Sequence, residues 1–149
     1  ETTLRLAEIK NIIGVKEASS DHVQIAKVIA NAPEGFKIWS GNDDETFNIM
    51  CMGGHGIVSV ASNIIGLQIK SMMNMILEGN VHLAAKKHHH MLPLFKALFW
   101  VTNPVPIKYS LNKSGFNAGI PRLPMVVADS NFIKMFDPIL ESYEIDLPI

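Results

Sequence analysis

Three short apolar runs, separated by helical patterns, constrain the fold of this chain more than any other feature. Ile12, Ile13, Gly14 and Val15 form the first run, Phe36 to Trp39 the second, and Ile57 to Ala61 the third. Leu4, Leu6, Ala7 and Ile9 make a short helical pattern before the first run, and Asn11 breaks it. Ser20 and Asp21 are placed to cap a helix whose Val23, Ile25, Ala26, Val28 and Ile29 carry an apolar face as far as Asn31. Ala32 to Gly35 reads as a turn. The cluster Ser40, Gly41, Asn42 and Asp43 ends the second run and caps a helix over about Asp44 to Met52. Gly53, Gly54, His55 and Gly56 then return the chain to the third run, which Asn63 closes. Runs that are apolar at consecutive positions are expected to be buried on both faces, the habit of parallel sheets covered by helices.

Helical patterns follow over about Gly66 to Leu77, Val81 to Trp100, Pro104 to Ser114 and Asn131 to Glu141. The order is therefore αβαβαβ and then αααα. Strands alternating with helices build βαβ units with right-handed crossovers, an α/β fold with a parallel sheet. Three strands alone leave two apolar edges, which complete domains cover or close. A (β/α)8 TIM barrel of roughly 250 residues would absorb such a unit. The expectation is the C-terminal part of such a barrel, three parallel strands with their helices plus added C-terminal helices. Residues 1–78 would be the last three βα units and residues 79–149 a helical extension. Because the chain starts at Glu1 already in helical register, an upstream portion is expected as well.

Composition removes several classes of function. The 149 residues are 48% hydrophobic and 18% charged, too apolar for a disordered chain. Thirteen Lys and Arg stand against 14 Asp and Glu, for a formal charge of −1, so no basic footprint invites nucleic acid or an anionic membrane. The single cysteine, Cys51, excludes an internal disulfide and fits a reducing, cytoplasmic setting. No apolar stretch of membrane-spanning length or secretion address is expected. No Cys/His spacing reads as a zinc site, and no phosphate-binding glycine loop or Ser/His/Asp motif occurs, so neither a metal nor a cofactor is expected.

Lys16 is the residue most able to carry chemistry. It interrupts the first run at its C-terminal end, and in barrel enzymes those ends face the active site. A desolvated lysine amine becomes a nucleophile toward carbonyls and forms Schiff bases. Position alone leaves two other readings open, a side chain turned to solvent or paired with Glu17. Gly41 ends the second run on the same rim, where a missing Cβ lets the backbone approach a small ligand, although a plain strand-to-helix turn accounts for it equally. Gly53 to Gly56 falls at the opposite rim and reads as structural. His88, His89 and His90 are consecutive on a helix, about 100° apart, and cannot face one ion. They are expected on the helix surface. Met72, Met73 and Met75 with Ile69 and Ile76 form a stripe expected to be core or subunit contact.

Four segments, taken together, resemble the C-terminal half of the dihydrodipicolinate synthase family. They are Gly14-Val15-Lys16-Glu17-Ala18-Ser19, Ser40-Gly41-Asn42-Asp43, Gly53-Gly54-His55-Gly56-Ile57-Val58-Ser59-Val60, and Asn103-Pro104-Val105-Pro106-Ile107-Lys108 with Arg122-Leu123-Pro124. Their order and approximate spacing are the family's. The resemblance implies a TIM barrel with added helices, usually a homotetramer, whose Lys16 condenses with pyruvate. The enamine then attacks aspartate 4-semialdehyde and cyclisation gives 4-hydroxy-tetrahydrodipicolinate, in lysine biosynthesis. It further implies that the backbone of Val58 contacts pyruvate, Val standing where the family has Ile, and that Gly41 walls the pocket.

The family's proton-relay tyrosine, carboxylate-binding threonines and aldehyde-recruiting arginine lie upstream of the segment matching Glu1. Tyr109 and Tyr143 do not match that tyrosine. Alone, the chain is therefore expected to be inactive or nearly so. Two alternatives remain: another pyruvate-dependent class I aldolase, such as N-acetylneuraminate lyase or a keto-deoxy-sugar aldolase, and a noncatalytic half-barrel used only for assembly. Arg122-Leu123-Pro124 and the Asn-Pro-x-Pro segment favour the lysine-pathway member. The open strand edges are expected to make the isolated chain associate.

Overall fold

The computed structural model describes residues 1–146. The elements are α1 (Thr2–Ala7), β1 (Gly14–Glu17), α2 (His22–Asn31), β2 (Lys37–Ser40), a single 3-10 turn (Asp43–Glu45), α3 (Thr46–Cys51), β3 (Gly56–Ile57), α4 (Ser62–Leu77), α5 (Val81–Ala97), α6 (Val105–Lys113) and α7 (Ser130–Leu140). The last residues of the expected extension, 147–149, lie outside the described residues. The expected element order is present.

The three strands are parallel in the order β1-β2-β3, with Lys16 beside Trp39 and Trp39 beside Gly56. Double burial, however, does not hold. Along β2, Ile38 and Ser40 are buried while Lys37 is exposed and Trp39 half-buried, and α3 packs on β2 and β3 from the buried side. Helices cover one face only, so residues of the other face, Lys16 among them, remain accessible. The third strand also departs from expectation. It holds two residues, and Val58 to Ala61 leave the sheet as a loop. Beyond Val58 the backbone turns aside to reach groups on the β2 side, described below.

Caps follow the sequence where a side chain is free to reach back. Asp21 accepts from the Gln24 amide at 2.9 Å and starts α2, and Asp129 does the same for α7 from Phe132 at 2.8 Å. The principal core is helical rather than sheet-based. Ile64, Ile65, Ile69 and Met72 of α4 join Met91, Leu94, Phe95 and Leu98 on the α5 side and Phe132, Phe136 and Leu140 of α7 in one buried cluster. The Met stripe is split accordingly, Met72 fully buried and Met73 and Met75 half-buried against the cluster.

Helix α4 is bent at Ile65, whose φ of −132° and ψ of 39° are not helical. The cause is a side chain and amide inserted into the ladder. Asp146 donates its amide to the Ile64 carbonyl at 2.9 Å, and its carboxylate accepts from the Gln68 amide at 3.1 Å. The bond that a straight helix would make between Gln68 and Ile64 is thus replaced by two bonds to one residue.

The histidine tract corrects the sequence reading. His89 and His90 are exposed as expected, yet His88 is only 8% exposed. Ala84, His88, Met91, Phe95 and Leu98 follow the i, i+4, i+7, i+11, i+14 spacing of one buried stripe, so His88 occupies a core position. Its ring stacks on Phe47 with centroids 5.4 Å apart, and among the described residues its Nδ1 has no hydrogen-bond partner.

Candidate active site

Alternation along a strand sends successive side chains to opposite faces, and the parallel register carries that assignment across the sheet. Glu17 and Ser40, paired in register, are both buried on the helix-covered face. Lys16 and Trp39, the preceding pair, lie on the uncovered one.

Trp39 forms the floor of this face. A Cβ built on Gly14 would lie 2.3 Å from the indole Cζ3, and one built on Gly56 would lie 3.3 Å from Cδ1. The ring therefore spans the sheet from β1 to β3 over two residues that have no side chain. His55 meets it edge-on at 5.4 Å.

Lys16 stands at the strand ends. Its amine is exposed, not dry, which corrects the expectation of a buried nucleophile: the face it points from carries no covering layer. Among the described residues it makes no ion pair, and the neighbouring Glu17 is buried on the opposite face, accepting from the Ser19 amide at 2.8 Å. The reading in which Lys16 pairs with Glu17 is excluded. The stem of Lys16 passes directly over Gly41: a Cβ there would lie 2.9 Å from Lys16 Cε, 2.7 Å from Ala18 Cβ and 3.1 Å from the Glu17 carbonyl. Gly41 also donates its amide to that carbonyl at 2.7 Å.

Val58 follows β3 on the same rim and is 49% exposed. Its amide donates to the Ser40 carbonyl at 2.9 Å, and among the described residues no donor reaches its own carbonyl. The three sequence-derived positions, Lys16, Gly41 and Val58, thus end adjacent strands of one sheet, in strand order. The two proline segments gather elsewhere. Thr102, Val105, Pro124 and Asp129 line a separate cleft to which none of the three contributes.

Two neighbours of the site were not read from sequence. One is Trp39, whose role depends on Gly14 and Gly56 being close in space. The other is Asp43. Instead of capping the helix that follows it, Asp43 is 3% exposed and reaches across to the loop after β3. It accepts from the Ser59 hydroxyl and from the amides of Val60 at 3.2 Å and Ala61 at 3.1 Å. Burial raises its pKa above the ordinary aspartate value, against the pull of those three bonds, and the charge of Asp44 pushes the same way as burial.

Among the described residues no group of three or more His, Cys, Asp or Glu is placed to hold a metal ion, and no helix is long and apolar enough to cross a membrane. The rim therefore offers an exposed amine, a glycine turn packed beneath its stem and a backbone carbonyl that no donor among the described residues reaches. That arrangement suits covalent capture of a small carbonyl compound.

Comparison with known proteins places the chain in a family. Residues 1–142 match the Dihydrodipicolinate synthetase family. The chain is 48% identical over 149 residues to a 4-hydroxy-tetrahydrodipicolinate synthase of Dehalococcoides mccartyi, covering all of this chain and 50% of that protein. It is 42% identical over 145 residues to the same-named protein of Archaeoglobus fulgidus, covering 97% of this chain and 50% of that one. The crystal structure of dihydrodipicolinate synthase from Thermotoga maritima superposes with a TM-score of 0.90 at 38% identity, over 95% of this chain and 49% of that one. The chain spans about half the length of the curated relatives it matches. A parallel α/β unit with a lysine at the strand ends, matched to these proteins along nearly all its length, belongs to the dihydrodipicolinate synthetase family.

Proposed function

We propose that this chain forms the C-terminal part of a (β/α)8 barrel and carries the Schiff-base lysine of a 4-hydroxy-tetrahydrodipicolinate synthase. Residues 1–78 would be the barrel's last three βα units and residues 79–149 its helical extension, which packs on α4 through the shared cluster as far as it is described. The observation that carries the reading is the position of Lys16, an accessible amine at the strand ends with its stem held over Gly41.

The chemistry follows from that amine. Unprotonated Lys16 Nζ adds to the keto carbon of pyruvate, and loss of water gives a protonated imine. The imine withdraws electrons from the adjacent methyl group, which gives up a proton to form the enamine. The enamine carbon attacks the aldehyde of aspartate 4-semialdehyde, making the new carbon–carbon bond. The amino group of that substrate then adds to the imine carbon and expels Lys16, closing the ring and freeing the amine. As the resemblance implies, the backbone carbonyl of Val58, to which no donor among the described residues is bonded, serves as the acceptor for pyruvate-derived groups, and Gly41 walls the pocket beneath the Lys16 stem. A homotetramer in the cytoplasm is the setting that the family suggests.

The test is incubation with pyruvate and borohydride, followed by intact-mass and peptide measurement. Reduction should fix one pyruvate-derived adduct on Lys16, absent in Lys16→Ala. Absence of an adduct, even with the amino-terminal half of a family member supplied, would overturn the proposal.

A further inference from the structure

The shortness of β3 leaves a question of how Val58 is held. Only Gly56 and Ile57 pair with β2, and the ladder ends with the amide of Val58 on Ser40. Past that bond, among the described residues, the side chain of Asp43 is what bonds the loop to the end of β2. Asp43 takes the Ser59 hydroxyl on Oδ1 and the Val60 and Ala61 amides on Oδ2. The Ser59 hydroxyl oxygen in turn accepts from the Ser62 amide at 2.7 Å, so the same cluster fixes the start of α4.

Asp43 is itself fixed from below. Two residues earlier, Gly41 is bonded to Glu17 and packed under Lys16. The Ser40 hydroxyl donates to the Asn42 carbonyl at 2.7 Å, and the Thr46 hydroxyl donates to that same carbonyl at 3.1 Å. One short stretch, Ser40 to Asp43, therefore touches Lys16 with its glycine and the Val58 loop with its carboxylate.

We propose that Asp43 is a positioning residue for the Lys16 chemistry: it ties the Val58 loop to the Gly41 turn and so sets where the Val58 carbonyl sits relative to the lysine stem. This rests on the Schiff-base reading above and deepens it. Three acceptor bonds from one buried carboxylate define the loop more tightly than a two-residue strand does. Raised by burial, the carboxyl is held at a cost that an ordinary surface turn would not require.

The test compares Asp43→Ala, Asp43→Asn and Ser59→Ala in the whole chain. Two readouts are taken: amide hydrogen exchange over residues 58–62, and the rate of borohydride-trapped pyruvate adduct on Lys16. In Asp43→Ala the Val60 and Ala61 amides lose their buried acceptor, so their exchange and the loss of adduct rate should each be about tenfold or more. Asp43→Asn keeps one carbonyl acceptor and should recover part of both. Ser59→Ala, which leaves both amide bonds, should shift Val58 while preserving the fold, and it replaces Asp43→Ala if that variant does not fold. Unchanged adduct rate in variants whose loop exchange has risen would overturn the proposal, as would unchanged exchange. Trapping is run with the amino-terminal half of a family member supplied; if the unsubstituted chain then gives no adduct, the Schiff-base reading fails first, and the exchange data still decide whether Asp43 holds the loop.

Discussion

The Cε of Lys16 lies 2.9 Å from the point where residue 41 would carry a Cβ. That gap is closer than two carbons tolerate, and the opposite side offers no relief, because Ala18 Cβ and the Glu17 carbonyl crowd the same point. Gly41→Ala should displace the lysine stem and slow trapping of pyruvate by about tenfold or more, since small misplacements of a reacting group are costly in rate. Stability should fall by about 1 to 3 kcal/mol in urea. An unaltered trapping rate would show that the stem has room to shift.

Gly14 should be the less forgiving of the two. A Cβ there meets both the Lys37 carbonyl and the Trp39 ring at 2.3 Å, and backbone has little freedom to yield. Gly14→Ala is expected to destabilise by about 3 kcal/mol, the upper end for overpacking. Gly79, with φ of +82° and open space around it, provides the contrast. Gly79→Ala should cost only the left-handed penalty of about 1 to 2 kcal/mol. Chemical denaturation of both variants checks the order.

His88 makes the fold sensitive to acid. Burial lowers its pKa, His89 adds to the effect and Asp44 opposes it. The unfolded chain binds a proton near the ordinary histidine value of 6.5, whereas the folded chain resists until lower pH. Stability is then complete above that value and declines as pH falls below it, at up to about 1.4 kcal/mol per pH unit. His88→Phe keeps the stack on Phe47 and should flatten this limb of a Tm against pH profile. A limb of unchanged slope would assign it to other groups.

The bend in α4 should depend on Asp146. Removing its carboxylate in Asp146→Ala leaves the Gln68 amide without its acceptor, for a loss of about 1 to 3 kcal/mol. Gln68 should also exchange faster than its neighbours. Exchange at Gln68 equal to that of the parent chain would mean that α4 straightens and restores its own bond to Ile64.

Much of this architecture is legible in the sequence because it depends on local rules. Asp21 caps α2 where an acceptor precedes an apolar periodicity, and Lys16 stands out as a charge ending an apolar run. What escapes depends on distance along the chain. Asp43 looks like the cap of its own helix, and its true partners lie 16 to 18 residues ahead. Treating His88 with its two neighbours hid the buried stripe it shares with Met91 and Phe95. Counting Val58 to Ala61 as strand followed their apolar character, although bonds to Asp43 draw the backbone out of the sheet. The exposure of Lys16 escaped for another reason: alternation identifies the faces of a strand, while the covering of each face depends on the elements that pack there.

Trp39 gives the molecule an optical gauge of its own. The indole lies on the uncovered face beside the lysine, edge-on to the imidazole of His55, while the only other tryptophan, Trp100, sits 47% exposed after α5. In Trp100→Phe, the remaining indole should report on the floor of the rim, its emission shifting when a ligand or a covering chain excludes water from that surface. Titrations of that variant can follow the site without an added dye.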